Sequence, residues 1–499
     1  VDLFSNLALG LSTSLSVTNL FYCFIGALFG TLIGVLPGLG PVATIAMLLP
    51  ITFGLEPVSA LIMLAGIYYG AQYGGSTTAI LINLPGESTS VVTAIDGYQM
   101  ARKGRAGTAL ATAALGSFFA GTVTTLFIAL FAPPLANLAL QFGPPEYFAL
   151  MVLGLIASIT LASGSLLKAL AMIILGLLLG LVGRDVYTTE ARFTFGLENL
   201  SDGLQFVALA MGIYGIGEIV RNLENPEQRS VGVAKVGSLM LSREDFRRIA
   251  APVLRGTGLG SLLGILPGGG ALLSSFASYA VEKKFAKNPK EFGQGAIEGV
   301  AGPESANNAG AQSSFIPMLT LGIPSNPVMA LMVGALIVHG ITPGPAFINE
   351  KPDLFWGLIA SMWVGNLMLV ILNLPLIGIW VRLLTVPYNY LFPAIVVFSA
   401  IGVFSVNNAG ADVLVMAGMG VFGYLLYKLN CEPAPLLLGF ILGPMLEENL
   451  RRSMLLFRGD ATQFLTRPLT ASLLAIAVVS LLVVLLPGMS RKREVVFKE

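Results

Sequence analysis

"GALFGTLIGVLPGLG" (26–40) and "GTGLGSLLGILPGGG" (256–270) decide how this chain is read. Each sets glycines four residues apart and then breaks at Leu-Pro-Gly. Gly26, Gly30 and Gly34 of the first match Gly256, Gly260 and Gly264 of the second. Proline removes a backbone donor and glycine frees the backbone, so each Pro-Gly pair ends a helix. Glycines at this spacing let membrane helices approach closely, and all six take that role. Two further pairs follow in order: "GAQ" (70–72 and 310–312), and "NLPGES" (83–88) with "GIPSN" (322–326). Recurring segments at a slowly drifting offset imply a duplicated half.

Composition says where the breaks lie. Of the 499 residues 55% are hydrophobic and 11% charged, whereas a soluble domain carries about 25% charged residues. Apolar runs at 106–131, 145–183, 203–220, 354–383, 390–428 and 468–487 approach or exceed the ~20 residues that cross a bilayer. The expected fold is an all-α polytopic membrane protein of about 10–12 spans. A net charge of +1 speaks against a nucleic-acid partner. The first basic residue is Arg102, so no charged leader and no cleavable signal peptide are expected. Cys23 and Cys431 offer neither a disulfide framework nor a metal spacing. The single histidine, His339, is read as buried and hydrogen-bonded, and Trp356, Trp363 and Trp380 as interface or packing residues.

Basic residues orient the halves. No Lys or Arg flanks the first break, and "ARKGRAG" (101–107) closes that unit. The second break is flanked by Arg247, Arg248, Arg255, Lys283, Lys284 and Lys287. By the positive-inside rule the first break enters from outside and the second from the cytoplasm, so the halves are inverted, as in secondary transporters. The expected division is a first repeat (1–220) with a re-entrant hairpin at 22–53, a cytoplasmic linker (221–247), a second repeat (248–467) with a hairpin at 256–282, and a C-terminal span and cytoplasmic tail (468–499). Gly256 to Leu266 is eleven residues, roughly 16 Å of helix and about half of a ~30 Å core. Its tip then stops near the midplane, where irregular backbone must be covered by protein or line a cavity.

Broken helices expose free N–H groups, which favour anions, and free carbonyls, which favour cations. Small hydroxyl and amide side chains gather around these breaks, and no Lys or Arg occupies the segments that carry them. The expected substrate-binding set is Pro37, Gly38, Gly40, Ser76, Thr77, Pro267, Gly268, Gly269, Gly270, Ser313, Ser314 and Ser325. The expected cation-binding set, with Na⁺ as the coupling ion, is Thr44, Thr78, Asn83, Pro85, Gly86, Glu87, Asn307, Asn308, Gln312, Pro324 and Asn326. Glu87 has two readings: a cation ligand, or a carboxylate at the start of the next helix. Lys168 and Asp412 occupy matching late positions in the halves and rank below these residues. One histidine rules out HExxH, and no facing Asp pair is evident, so an intramembrane enzyme is not expected. A passive channel fits poorly with two closed tips.

"GTLIGVLPGLGPVATIAMLLP", "YYGAQYGGSTTAILINLPGE", "DGYQMARKGRAGTAL" and "GPESANNAGAQSSFIPMLTLGIPSN" together resemble the large membrane subunit of the tripartite tricarboxylate transporters, the TctA family. The resemblance covers nearly the whole chain. It implies a bacterial inner-membrane importer that works with a small four-helix membrane subunit (TctB-like) and a periplasmic substrate-binding protein (TctC-like). It also implies cation-coupled uptake of a carboxylate such as citrate, without an organic cofactor. Analogy with TRAP-type systems adds an elevator motion.

Overall fold

In a computed structural model of the chain, both glycine repeats lie on helices packed against a long, buried partner. The structure describes residues 3–36, 40–83, 86–161, 165–185, 187–224, 235–266, 270–384, 393, 396–397, 399–401, 403–404 and 407–485. Pro37, Gly38, Pro85, Pro267, Gly268 and Gly269 lie outside these residues, as do 225–234 of the expected linker and the tail from 486.

The first half begins with α1 (Leu3–Ser14), α2 (Val17–Val35), α3 (Pro41–Leu48) and α4 (Pro57–Ile82), followed by α5 (Val91–Arg102) and α6 (Ala106–Ala139). Two apolar helices, α7 (Pro144–Leu161) and α8 (Leu166–Gly180), occupy the apolar run at 145–183. A two-residue hairpin, β1 (Gly183–Arg184) with β2 (Ala191–Arg192), pairs Gly183 with Arg192 and Arg184 with Ala191. Next come α9 (Phe206–Ala210), a π-helical turn at Met211–Ile216 and α10 (Gly217–Glu224). The second half opens with α11 (Arg243–Leu263), α12 (Gly270–Phe285), α13 (Glu298–Ser313), α14 (Phe315–Leu321) and α15 (Pro327–Val338). It continues with α16 (Phe347–Glu350), α17 (Pro352–Asn373), α18 (Ile377–Leu383), α19 (Gly410–Lys428), α20 (Ala434–Leu456), α21 (Gln463–Thr466) and α22 (Pro468–Leu485).

Among the described residues four helices are long and apolar enough to cross a membrane, at 17–35, 106–139, 352–373 and 410–428, and five shorter helices are apolar. Their outer faces carry exposed Leu126, Leu130 and Phe131 on α6, Leu414 and Val421 on α19, and Ile476 and Val479 on α22. Such a coat of large apolar side chains is suited to lipid and unsuited to water.

The glycine ladders do the same work in both halves. A Cβ at Gly26, Gly30 or Gly34 would stand 2.2, 2.4 or 2.5 Å from the carbonyl oxygens of Met63, Ile67 and Ala71 on α4. One at Gly256, Gly260 or Gly264 would stand 2.3, 2.3 or 2.4 Å from those of Gly302, Ala306 and Gly310 on α13. The helices therefore touch backbone to backbone, as the spacing predicts. The partners are buried on all sides: every residue from Ser59 to Ile82 on α4, and from Gly299 to Ser313 on α13, is buried.

The helix ends also correspond. Asn83 ends α4 at φ 56°, and Gly322 ends α14 at φ 71°. Glu87 caps a 3₁₀ turn at Ser88–Ser90, and Asn326 caps α15, accepting from the Met329 N–H at 3.0 Å. Left-handed caps of this kind satisfy the last carbonyls of a helix before the chain turns.

Charged groups gather at the chain's turns. Arg105 meets Asp245 at 2.5 Å, and Arg248 meets Glu298 at 2.7 Å. Arg255 of α11 is paired with Glu282 of α12, so the two arms beside the second break run antiparallel. Elsewhere Asp185, Glu447, Arg192 and Arg451 form an ion-pair cluster, and Arg467 meets Glu146 at 2.7 Å. The N–H groups of Thr188 and Tyr187, together with Arg451, hold the Asp185 carboxyl well below the usual carboxylate range. Asp185 therefore stays ionised at physiological pH.

Asp96 joins the halves. Its Oδ1 accepts from the N–H groups of Gly293, Gly295 and Ala296 at 2.9, 2.7 and 2.9 Å, and its Oδ2 from Tyr279 OH at 2.9 Å. It is fully buried and positions the entry to α13. Asp96→Asn keeps one acceptor oxygen for the three N–H groups but removes the charge and turns an NH2 toward Tyr279 OH, which costs about 1–3 kcal/mol. A lowered thermal midpoint of the detergent-solubilised protein is expected; an unchanged midpoint would contradict this role.

Candidate functional site

The interior helices are not apolar throughout, and their polar side chains meet where α4 and α13 face each other. Glu304 on α13 is fully buried. Its Oε2 accepts from Ser76 Oγ of α4 at 2.7 Å, and its Oε1 accepts from the Thr93 hydroxyl of α5. One turn further along α13, the Asn307 amide lies 3.5 Å from Glu87 Oε1. Thr89 bridges Glu87 and Gln72 Oε1, the latter at 2.9 Å. From α6, Ser117 Oγ accepts from Asn308 Nδ2 at 2.6 Å, and Thr125 Oγ1 donates to Gln312 Oε1 at 2.9 Å. One polar seam thus runs from Gln72 and Glu87, past Glu304, to Gln312.

Both glutamates lack a basic neighbour: the ion pairs of the described residues lie at the turns already named and at Glu224–Lys428 and Glu448–Arg452. A buried carboxylate is held by hydrogen bonds and a counter-charge, or else is neutralised by a proton. Several seam atoms also lack protein partners, namely Tyr73 OH, Asn307 Oδ1, Asn308 Oδ1, Gln312 Nε2 and Asn373 Oδ1. A cavity of about 10 Å³ opens beside Glu304, room for about one water-sized occupant. A larger cleft, about 170 Å³, is lined by Arg184, Asp185, Arg192, Glu447 and Arg451. Its acids are already spent on the ion-pair cluster, so the seam is the better candidate. Among the described residues no cluster of three His, Cys, Asp or Glu could hold a metal ion.

The expected residues separate into groups. Ser76, Thr77, Glu87, Asn307, Asn308 and Gln312 are brought to the seam. Gly86 packs against its edge, where a Cβ would lie 2.0 Å from Gly34 O. Gly270, Ser314 and Asn326 form a second group: a Cβ on Gly270 would meet Ser314 Oγ at 3.3 Å and Asn326 Nδ2 at 3.5 Å. Ser325 Oγ donates to Ser314 O at 3.4 Å, and Pro324 is buried beside it. The remaining hydroxyls are spent on nearby carbonyls. Thr78 donates to Val35 O at 2.9 Å, Ser313 to Gly260 O at 3.2 Å and Thr44 to Gly40 O at 3.0 Å. Asn83 is exposed at its cap. Glu87 caps the turn at Ser88–Ser90 and also reaches the seam.

Of the other singled-out residues, Lys168 is exposed and donates to Leu429 O at 2.5 Å, and Asp412 accepts from Asn407 at 3.0 Å in the first turn of α19. His339 is half-buried beside Phe53 and hydrogen-bonded to the Thr52 backbone, while its Nε2 has no partner. Trp356 and Trp380 are packing residues, buried to 1% and 3% exposure.

Glu304, Tyr73, Thr89, Thr93, Ser117 and Asn373 were not among the expected site residues. Glu304 carried a usable signal, an acid immediately before the uncharged run "SANNAGAQSS" (305–314), since intramembrane charge marks function by default. Asn373, at the far end of α17, carried none, because only tertiary packing brings it to α4.

A helical chain with a lipid-suited exterior and a buried seam of acids, hydroxyls and amides is a membrane protein with a polar interior. The model of the tripartite tricarboxylate transporter TctA family matches residues 20–438, and the chain belongs to that family. It is therefore a component of a tricarboxylate transporter, and membership implies the tripartite setting with TctB and TctC partners. Two relatives come from Agrobacterium vitis. One, described as an uncharacterized 52.8 kDa protein in the TAR-I ttuC' 3'region, is 66% identical over 499 residues, 100% of this chain and 99% of the relative. Another, an uncharacterized protein in the TAR-II ttuC' 3'region, is 65% identical over 240 residues, 48% of this chain and 99% of the relative. No solved structure matches the chain.

Proposed function

We propose that this chain is the membrane subunit of a secondary importer that carries a di- or tricarboxylate of the citrate type across the bacterial inner membrane. A cation gradient, with Na⁺ as the coupling ion, drives uptake, and a periplasmic binding protein delivers the substrate. The observation that carries this reading is the seam itself. Two carboxylates without basic partners sit among hydroxyls and amides, at the junction of α4 from one half with α13 from the other. An anionic substrate has no Lys or Arg to meet it there, so a co-bound cation would offset its charge.

Two inverted repeats support the motion. The matching ladders, the matching caps and the antiparallel arms α11 and α12 favour two re-entrant hairpins and an elevator-type displacement. The basic turn at 103–105 meets α11 and the turn before α13, which favours one cytoplasmic face for both, as the charge pattern predicts. A TRAP-like importer of another organic anion keeps every element of this reading except the substrate, and a passive channel keeps only the seam.

The test is uptake of labelled citrate into proteoliposomes containing this chain, the small subunit and loaded binding protein. Accumulation is expected only with all three components and an inward Na⁺ gradient. Accumulation that persists after the gradient is collapsed would overturn the coupling, and single-channel currents through the purified protein would favour the channel.

A further inference from the structure

We propose that Glu304 is the charged ligand of a small, dehydrated site for one monovalent cation, built at the meeting of α4, α6, α13 and α17. The inference deepens the coupled-importer reading and rests on it for its purpose, though its geometry stands alone.

The cavity beside Glu304 is about 10 Å³ and is lined by the polar Tyr73, Ser76, Thr77, Ser117 and Asn373 and by the apolar Leu110, Ala113, Ala114 and Leu374. Every one of the polar side chains carries an oxygen, and no Lys, Arg or His lines the cavity. Polar groups that are all hard oxygens suit an alkali or alkaline-earth ion over a softer metal. The single carboxylate sets the charge. One formal negative balances a monovalent ion, whereas a divalent ion would leave net positive charge in the interior of a membrane protein. The volume admits a bare ion or one water and nothing larger.

Unused ligands point the same way. Tyr73 and Asn373 are each 4% exposed, and Tyr73 OH and Asn373 Oδ1 have no hydrogen-bond partner. Leaving two buried oxygens unpaired is costly, and a bound cation would engage both. Asn373 is otherwise held firmly, its amide donating to Leu369 O at 2.9 Å and to Thr31 Oγ1 at 3.3 Å, which leaves its oxygen as the free group. On the opposite wall Ser76 and Thr93 hydrogen-bond the carboxylate oxygens, and those contacts orient it.

The position has a mechanical consequence. The lining residues come from four helices, and α17 supplies the wall opposite α13. An ion bound there ties α17 to α4 and α13, and its release requires that wall to part. The seam around Glu87 is a neighbouring region, joined to this one through Asn307.

The test is equilibrium ²²Na⁺ binding to the purified full-length chain in detergent, with K⁺, Li⁺ and choline as competitors and with pH varied at fixed Na⁺. Wild type is expected to bind one ion, displaced by Li⁺ more readily than by choline. Glu304→Gln is expected to lose binding. Tyr73→Phe and Asn373→Ala keep the carboxylate and are expected to weaken binding by roughly 10-fold or more. Unaltered binding in Tyr73→Phe and Asn373→Ala would overturn the proposal even if Glu304→Gln failed to fold. Absence of Na⁺ binding in wild type, with proton uptake lost in Glu304→Gln, would overturn it in favour of a proton site. Binding that follows this pattern while citrate uptake ignores the Na⁺ gradient would sink the coupled-importer reading and leave the site standing.

Discussion

Glu304→Gln is expected to abolish uptake in proteoliposomes, a loss of roughly 100-fold or more, while the protein still inserts and purifies. Glutamine has the size and shape of a protonated glutamate, so α13 keeps its packing. The charge is what disappears. Ser76 Oγ at 2.7 Å and the Thr93 hydroxyl both donate to this carboxylate, and an amide nitrogen placed there offers a donor to a donor. Nothing else in the described seam except Glu87 carries negative charge. Glu304→Asp keeps the charge on a shorter arm and is expected to retain measurable uptake. Near-normal uptake by Glu304→Gln would reduce the residue to a structural hydrogen-bond acceptor.

The second large effect is on folding. Gly260→Val and Gly30→Val are each expected to prevent accumulation of folded protein in the membrane. A Cβ at these positions would lie 2.3 Å from Ala306 O and 2.4 Å from Ile67 O, and main chain cannot swing aside as a side chain can. Overpacking of this kind costs about 3 kcal/mol or more, and the whole helix pair must separate to relieve it. Gly258 supplies the control, because it sits in the same helix with nothing within 4 Å of an added Cβ. Gly258→Val is expected to accumulate normally. The readout is the monodisperse peak in size-exclusion chromatography of solubilised membranes. Equal yields of the three variants would show that the ladders are not tight contacts.

These two predictions mark what the chain reveals at different depths. The ladders were readable, because glycine spacing on a helix is local geometry and a close helix contact is its direct consequence. The hydroxyl and amide groups of the seam were readable in part. Ser76, Thr77, Asn307, Asn308 and Gln312 lie near the breaks in sequence as well as in space. Thr44, Thr78 and Ser313 share that neighbourhood but spend their hydroxyls on nearby carbonyls, a choice set by helix orientation, which composition does not specify. Asn373 and Ser117 lie far from any break and reach the seam only because α17 and α6 pack against α4 and α13. Asp96 was hidden for the same reason: its three backbone donors lie some 200 residues away.

The claim that the α4–α13 seam is the transport site is tested most directly by its accessibility. Ser76→Cys in a chain with Cys23 and Cys431 replaced by alanine leaves one thiol, at the wall of the cavity beside Glu304. Its labelling by a small water-soluble maleimide is measured in proteoliposomes with the partner subunits present. The account predicts labelling without ligand, because the transport motion opens a cavity that is closed here, and protection when citrate and Na⁺ are supplied together. A thiol that never reacts, or that reacts at the same rate with and without citrate and Na⁺, would contradict it.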